Sequence, residues 1–350
     1  MNEGLVIGGL AIVMGLVLVL PFSVKKVEEE LEAFLFIMGV LAVSISRLWS
    51  RHLVEEALIE PIKITLAVFF AGLIFKFIRP KLGKWTTALA QRFGYSVLFF
   101  IIVVGLGLLS SVITAIIAAL VLSEVISALR LPRNLEVKIV IISCFSIGLG
   151  AVLTPLGEPL STIAVSKLKG EPYHADFFFL LRMLGLWVIP VILGLGILPA
   201  FLPINRDKGE TKGDTLTEDK PEGFKDVIIR ALKVYLFVLA LVFLGTGFMP
   251  VVDKYLVRAP AAALYWVNIV SAILDNATLT AAEITPAMSL YTIKCALAGL
   301  LIAGGMLIPG NIPNIICANK LSIKSREWAV FGVPLGMVIM IGFFIVLMLV

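Results

Sequence analysis

The chain has 350 residues, of which 60% are hydrophobic and 15% charged, and its formal net charge is +5. Soluble domains carry about 25% charged residues, so most of this surface faces something other than water. The basic residues lie in short loops beside apolar runs, so the net charge does not indicate a nucleic-acid-binding protein. Cys144, Cys295 and Cys317 lie inside apolar stretches, which predicts buried thiols and no disulfide framework.

Several continuous apolar runs are long enough to cross a bilayer, which needs about 20 residues, and their composition favours helices over barrel strands. The first run carries Glu3, no Lys or Arg and no small-residue cleavage site, which favours a retained helix over a signal peptide. We expect an all-α polytopic protein of the cell membrane, the inner membrane of a prokaryote. About nine transmembrane helices are predicted near 4–22, 33–50, 61–79, 93–109, 110–129, 175–202, 226–247, 260–286 and 327–349.

Two further apolar stretches, 137–168 and 289–321, are each too long for one simple span and are broken near the middle by Pro and Gly. The first break reads Thr-Pro-Leu-Gly-Glu-Pro from Thr154, and the second reads Pro-Gly-Asn-Ile-Pro-Asn from Pro309. Non-helical backbone at membrane depth is tolerated only where it is buried in protein or lines a water-filled cavity. The short arms on either side of each break predict two re-entrant hairpins.

The two broken stretches resemble each other. A shift of 153 residues places Gly157 over Gly310 and Lys167 over Lys320, and a weaker match aligns 110–114 with 270–274 at a shift nearer 160. Two matches in the same order indicate a duplicated unit. The predicted division is 1–92 for N-terminal scaffold helices, 93–203 for the first repeat, 204–225 for a polar flexible linker, and 226–350 for the second repeat.

Loop charges and the helix count orient these repeats. The positive-inside rule makes the loop after the third helix cytoplasmic, because it carries Lys76, Arg79, Lys81, Lys84 and Arg92. The first hairpin then opens from the cytoplasm and the second from the opposite side, although Lys320, Lys324 and Arg326 oppose that placement. An inverted repeat with broken helices is typical of a secondary transporter with a midplane site.

Asp275 is the principal candidate site residue, because it lies in the middle of the predicted 260–286 helix. A charged side chain at that depth costs about 2.5–3.5 kcal/mol on insertion scales, so such a residue is usually kept for a ligand, a proton or an ion-pair partner. Asn276, Thr278 and Thr280 add oxygen atoms, which hard cations prefer as ligands. The alternative is a structural ion pair, which the lack of a basic residue within a turn or two disfavours.

The two breaks supply further candidates at equivalent positions. Glu158 matches Asn311, and Ser161 matches Asn314 one turn later. Where helix arms meet at a break, backbone N–H and C=O groups lack intrahelical partners and are available to ions. The alternative is that Gly and Pro only kink packed helices and that the polar side chains cap them.

Four further charged residues lie in apolar segments. Glu124 and Glu283, near the ends of corresponding helices, belong either to a proton path or to a headgroup or loop region. Arg182 and Lys294 either face the site or extend to the interface. The sequence has no metal-ligand spacing, phosphate loop or nucleophile motif, so we expect no cofactor, no enzyme and no ATP-driven pump.

Asp275-Asn276-Ala277-Thr278 and the Gly-Asn-Ile-Pro-Asn segment at 310–314, echoed by 157–166, resemble the ion transporter superfamily. That superfamily includes arsenite permeases, D-type sodium/proton antiporters and citrate carriers. The chain is most similar to a prokaryotic family described as predicted cation transporters. The resemblance implies two discontinuous helices near 110–114 and 275–280, two hairpin tips, a mobile transport unit and a homodimer. The Asp-Asn pair that such antiporters often carry in the first half is absent here, where the sequence reads Thr114-Ala115.

Three functions follow, in order of support. The first is a cation/proton antiporter, with sodium as the cation, in which desolvation favours protonated Asp275 and an arriving cation displaces the proton. Its site also includes Ser111, Thr114, Glu158, Asn276, Thr278, Asn311 and Asn314. The second is a sodium-coupled anion or carboxylate carrier, which Arg182 pointing into the site would support. The third, an intramembrane aspartyl protease, needs two facing aspartates where the core offers one.

Overall fold

A computed structural model describes residues 3–202, 224–255, 260–274 and 276–349, and every regular element in these ranges is helical. The α-helices are α1 (Glu3–Ser23), α2 (Lys25–Glu29), α3 (Leu31–Ser46), α4 (Arg51–Ile113), α5 (Ala115–Leu129), α6 (Arg133–Ala151), α7 (Pro159–Lys167), α8 (Phe179–Ile197), α9 (Phe224–Tyr255), α10 (Ala261–Val267), α11 (Asn276–Glu283), α12 (Leu290–Gly304), α13 (Ile312–Lys320) and α14 (Ser325–Leu349). Short 3-10 turns cover Leu198–Phe201, Asn268–Ala272 and Ile308–Gly310.

Six of the described helical stretches are long and apolar enough to cross a membrane. They are Gly4–Pro21, Arg92–Ile113, Arg133–Ala151, Phe179–Phe201, Val227–Val251 and Ser325–Leu349. The predicted all-α class is confirmed for the described residues, and the composition of these helices fits a membrane-embedded protein. The predicted cysteine burial is also confirmed, because Cys144, Cys295 and Cys317 are buried free thiols.

Several predicted helix bounds are wrong. The predicted helix 260–286 is interrupted, since α10 ends at Val267 and α11 begins at Asn276. The predicted helices 61–79 and 93–109 both belong to α4, which is bent at Gly94, where φ is 81°. The predicted helix at 110–129 begins instead at Ala115. Of the predicted linker 204–225, residues 204–223 lie outside the described part, and the last two residues begin α9.

Helix α14 is continuous and defines two ends of the fold. At its start, Glu327 contacts Arg133, which also donates to the carbonyl oxygens of Leu321 and Ser322. Near its end, the Tyr291 hydroxyl donates to the Leu347 carbonyl oxygen. Twenty residues of α-helix span about 30 Å, so these contacts lie on opposite sides of the fold. We call them the Arg133 end and the Tyr291 end.

The segment 133–167 runs from one end of the fold to the other as a broken helix. It begins with α6 at the Arg133 end, breaks after Ala151, and continues as α7. The Lys167 ammonium donates to the Ala281 carbonyl, and just beyond it the Tyr173 hydroxyl donates to the Met288 carbonyl, close to Tyr291. The segment therefore ends at the Tyr291 end.

The segment 290–320 runs in the opposite direction. Helix α12 begins at the Tyr291 end and breaks at Gly305, whose carbonyl oxygen accepts a hydrogen bond from Trp328 in the first half of α14. Helix α13 then continues to Leu321 and Ser322 at the Arg133 end. Both expected breaks are present, but neither segment returns to its starting side. The predicted re-entrant geometry of 137–168 and 289–321 is therefore corrected to two broken helices that cross the fold in opposite directions.

The chain does turn back at Thr114, between α4 and α5. The last turns of α4 run parallel to α6, because Ser146 donates to the Val103 carbonyl and Ser110 donates to the Ile147 carbonyl. Helix α5 then returns along α13 towards the Arg133 end, with Lys320 against Glu124. This first hairpin opens at the Arg133 end, and its tip is the discontinuity that the family resemblance placed near 110–114.

The second hairpin consists of α10, the following 3-10 turn and α11. Its first arm runs along α12, because Asn268 donates to the Ala296 carbonyl and Ser271 donates to the Leu300 carbonyl. Its second arm returns, since Glu283 accepts a hydrogen bond from Asn268. This hairpin opens at the Tyr291 end. The described residues thus contain two sets, each a hairpin followed by a broken helix, and the two sets run in opposite directions.

Candidate functional site

The centre of the fold is where the hairpin tips and the helix breaks meet. At the first tip, the Ala115 N–H donates to the Gly157 carbonyl over 2.8 Å, and the Thr154 hydroxyl donates to the Ser111 carbonyl. A Cβ on Gly157 would lie 1.9 Å from the Ala151 carbonyl oxygen. Only glycine fits there, because the chain folds back so closely after α6.

The first break is organised by Glu158 and Ser161. Glu158 is the N-cap of α7, and the Ser161 hydroxyl donates to the Glu158 carbonyl over 2.7 Å while accepting from its N–H. Both side chains are buried. Pro159 at the first helical position has no N–H to satisfy, which favours a helix start at this point. Neighbouring residues therefore account for the helix break at this point, and the Glu158 carboxylate is buried inside the protein.

The second break is held by Asn314. Its fully buried amide donates to the carbonyl oxygens of Gly304 and Leu307, at 2.8 and 2.9 Å, and so satisfies two backbone groups that the end of α12 leaves open. Its own Oδ1 has no hydrogen-bond partner in the described part of the chain. Asn311, the N-cap of α13, is also buried.

The two halves touch at these breaks. A Cβ on Gly148 of α6 would lie 2.7 Å from Asn311 Nδ2, so this amide packs directly on the bare α6 backbone. A Cβ on Gly305 would lie 2.4 Å from the Phe145 ring. In addition, α7 packs on α11 and α13 packs on α5. The broken helix of each half therefore packs on the hairpin of the other half.

The second tip carries Asn276 and the predicted site helix α11. Asn276 is buried, its Nδ2 has no hydrogen-bond partner among the described residues, and it lies 3.5 Å from the Cβ position of Gly304. The Thr280 hydroxyl donates to the Asn276 carbonyl within the helix, so that hydroxyl hydrogen is already used. Thr278 lies in α11, but its side chain is outside the described part, as is Asp275 entirely.

Ser111 and Thr114 lie at the first tip, as expected. The Ser111 hydroxyl donates to the Leu108 carbonyl of its own helix. Thr114 has φ 77°, a conformation costly for a threonine, and its side chain accepts from the Ile117 N–H and so caps α5. Strained backbone of this kind persists only where its surroundings enforce it, and it clusters at functional sites.

Glu124 and Glu283 have different surroundings. Glu124 of α5 forms an ion pair with Lys320 of α13, and each of the two side chains is only 3% exposed. Glu283 of α11 is fully buried, and its Oε2 accepts from Asn268 Nδ2 over 2.9 Å. The repeat equivalent of Lys320 is Lys167, which donates to the Ala281 carbonyl. Within the described residues, the carboxylate of the first half is therefore paired with a lysine, whereas Glu283 of the second half is not.

Arg182 and Lys294 lie away from the centre. Arg182 pairs with Asp176 over 2.6 Å, with side chains 60% and 56% exposed, and its hydrogen bond lowers the pKa of the Asp176 carboxyl. Lys294 lies 5.0 Å from the centre of the Trp187 ring, in a cation–π contact. Neither of these described contacts is with the helix breaks, so both side chains fit the prediction that they extend to the membrane interface.

Sequence reasoning missed several buried partners. Asn268, Ser271, Thr154 and Ser110 each bond across helices near the tips, and Lys320 was treated as a loop charge. Thr154 lies in the predicted break itself, so its position was a usable signal. The others required knowledge of which helices pack together.

The centre is rich in oxygen atoms and poor in positive charge. Its buried polar side chains are carboxylates, amides and hydroxyls, and the only buried ammonium seen in the described ranges is that of Lys320, paired with Glu124. No group of three or more His, Cys, Asp and Glu side chains converges within those ranges. Such a centre suits a hard cation held by amide, hydroxyl, carbonyl and single carboxylate oxygens.

Comparison with known proteins identifies one family. Its model, described as "Protein of unknown function (DUF1646)", matches residues 7–350, so the chain belongs to that family. No curated protein matches the sequence.

Proposed function

We propose that this member of the DUF1646 family is a secondary active transporter that exchanges a small cation, sodium in the first instance, for protons. The observation that carries the proposal is the arrangement of two hairpins and two broken helices in opposite directions, with their interruptions meeting in a buried, oxygen-rich centre. Discontinuous helices at the interface of inverted units are where secondary transporters bind ions.

The balance of charge favours a cation over an anion. Glu158 is buried at the first break, and Asp275 lies in the sequence beside buried Asn276. Lys320 is neutralised by Glu124, and Arg182 is bound to exposed Asp176. An anion carrier also needs positive charge near the donors at the breaks, and among the described residues neither Arg182 nor the paired Lys320 provides it. We therefore keep the sodium-coupled anion carrier only as the alternative.

The proposed cycle uses Asp275 as the group that holds either a proton or the cation. The amide oxygens of Asn276 and Asn311, the Asn314 Oδ1 and the Glu158 carboxylate would complete the cation shell. Occupation by a cation releases the proton, because both charges compete for one carboxylate in a poorly solvated centre. The Thr280 hydroxyl donates its hydrogen to the Asn276 carbonyl, which leaves its oxygen lone pairs available to a cation.

In the membrane, we place the Arg133 end in the cytoplasm. Lys324 and Arg326 then lie on the same side as Arg130 and Arg133, and the buried Lys320 no longer counts as a loop charge. With crossing helices, Lys324 and Arg326 no longer oppose this placement, whereas Lys167 and Lys169, which end and follow α7, lie at the opposite end. The hairpins then enter from opposite faces, and the transport unit moves against a scaffold of α1, α3, the first part of α4, and α9.

The test is collapse of a pH gradient in proteoliposomes on adding sodium, lithium, potassium or calcium. Wild-type protein is expected to give cation-specific collapse, and Asp275→Asn is expected to abolish it while inserting normally. The matched control is Asp176→Asn, an exposed carboxyl outside the centre, which should exchange at the wild-type rate. Absence of collapse with every cation in vesicles that hold a gradient would contradict the proposal and favour the anion carrier.

A further inference from the structure

Glu283 and Asn268 form a buried polar pair that the proposed cation shell does not use. Both side chains are 0% exposed. Asn268 Nδ2 donates to Glu283 Oε2 over 2.9 Å and to the Ala296 carbonyl over 3.2 Å, so both of its amide hydrogens are used. Glu283 Oε1 and Asn268 Oδ1 have no hydrogen-bond partner in the described part of the chain. Each member of this hydrogen-bonded pair thus has one buried acceptor oxygen that lacks a donor in the described part of the chain.

A single proton on the Glu283 carboxylate would supply the hydrogen-bond donor that these two oxygens lack. A buried acceptor without a donor costs free energy comparable to a lost hydrogen bond, and an ionised carboxylate in such surroundings costs more. One proton on Glu283 Oε1 removes the charge and supplies an O–H donor on the side chain that is already bonded to Asn268, whose Oδ1 lacks a donor. A carboxylic acid and a primary amide can then satisfy each other through two hydrogen bonds.

Among the side chains that the structure describes, no cation near Glu283 replaces that proton. Helix α11 packs on α7, α9 and α12. The titratable and charged side chains that the structure describes on these helices are Glu158, Lys167, Lys225, Lys233, Tyr235, Lys254, Tyr291, Lys294 and Cys295. Within the described ranges none of these forms an ion pair with Glu283, since Lys167 is bound to the Ala281 carbonyl, Lys294 to the Trp187 ring and Lys233 to Glu30 and Glu32.

We propose that Glu283, held by Asn268, is a proton-binding site of the second hairpin, separate from the centre where the helix breaks meet. The corresponding carboxylate of the first half, Glu124, forms an ion pair with Lys320 and so already has a cationic partner. This inference deepens the proposed function, because it assigns a second proton to the exchange cycle and places it in the half that lacks the ion pair.

The test is infrared spectroscopy of the full-length protein in lipid at neutral pH, which detects the stretching band of a protonated carboxyl group. Wild type is expected to show a band that Glu283→Gln removes and that the matched control Glu124→Gln leaves unchanged. Glu283→Asp retains a carboxyl and is expected to move the band to another frequency, which decides the matter if Glu283→Gln does not fold. Identical carboxyl bands in wild type and in both Glu283 variants, or a loss of band intensity in Glu124→Gln, would overturn the inference.

The two proposals fail in different ways. If the band is present and assigned to Glu283 but no cation collapses a pH gradient, the transport function is wrong and the proton site stands. If exchange is intact and Glu283→Gln exchanges with the wild-type rate and no band change, the proton site is wrong and the transport function stands. With both proposals correct, Glu283→Gln is expected to lower the exchange rate at least tenfold.

Discussion

The buried ion pair between Glu124 and Lys320 permits a double-mutant test of how the two halves are joined. Each side chain is 3% exposed, so each charge has lost nearly all of its water and depends on its partner. Removing one partner of a buried pair costs about 3–5 kcal/mol, because the other charge is left uncompensated. We therefore expect Lys320→Met and Glu124→Gln each to destabilise the protein by about that amount, and the double variant to cost well below the sum of the two.

The measurement is thermal unfolding in detergent, followed with a thiol-reactive fluorophore that labels Cys144, Cys295 and Cys317 as these buried thiols become exposed. The matched control is the pair Arg51–Glu55, whose side chains are 92% and 55% exposed. An exposed pair contributes about 0–1 kcal/mol, so its variants should unfold near the wild-type temperature. Additive effects at Glu124 and Lys320, or single variants as stable as the control, would refute the pairing.

Three further predictions concern packing and charge. Gly150→Ala should destabilise the protein by about 1–3 kcal/mol or more in the same unfolding assay, because its Cβ would lie 1.8 Å from the Gly107 carbonyl oxygen. The control Gly105→Ala, whose Cβ would meet nothing within 4 Å, should not destabilise it. Equal unfolding temperatures for the two variants would contradict the close approach of α4 and α6. Asn314→Ala should cost about 1–3 kcal/mol, since two buried carbonyls lose their donor, and wild-type stability would contradict that role. Arg182→Gln should leave the proteoliposome exchange rate within about twofold of wild type, and a loss of exchange would place this guanidinium in the site.

The breaks in the helices could be predicted from the sequence, whereas the direction of the arms could not. Pro155, Gly157 and Pro159 interrupt a helix for local reasons, and the structure breaks there. Whether α7 returns along α6 or continues across the fold depends on contacts with residues far along the chain. The bonds that settle it, from Lys167 and Tyr173, reach residues 114 and 115 positions away. Apolar arms of this length carry no sequence signal for either direction.

The residue types of the candidate site could be predicted from the sequence, whereas their ion-pair and hydrogen-bond partners mostly could not. Asn311, Asn314, Glu158 and Ser161 are buried at the breaks where the repeat placed them. The sequence could not show that Glu124 pairs with Lys320, because 196 residues separate them. The placement of Asp275 and of the Thr278 side chain stays a prediction, since both lie outside the described part.

The most direct test of the central claim is proton release on cation binding. Sodium is added to detergent-solubilised protein in a weakly buffered solution, and the pH of the solution is followed. If the cation displaces a proton from a shared carboxylate, wild-type protein acidifies the solution and Asp275→Asn releases no proton at the centre. Acidification of equal size in Asp275→Asn, or no acidification with sodium, lithium, potassium or calcium, would contradict exchange of a cation for a proton at Asp275.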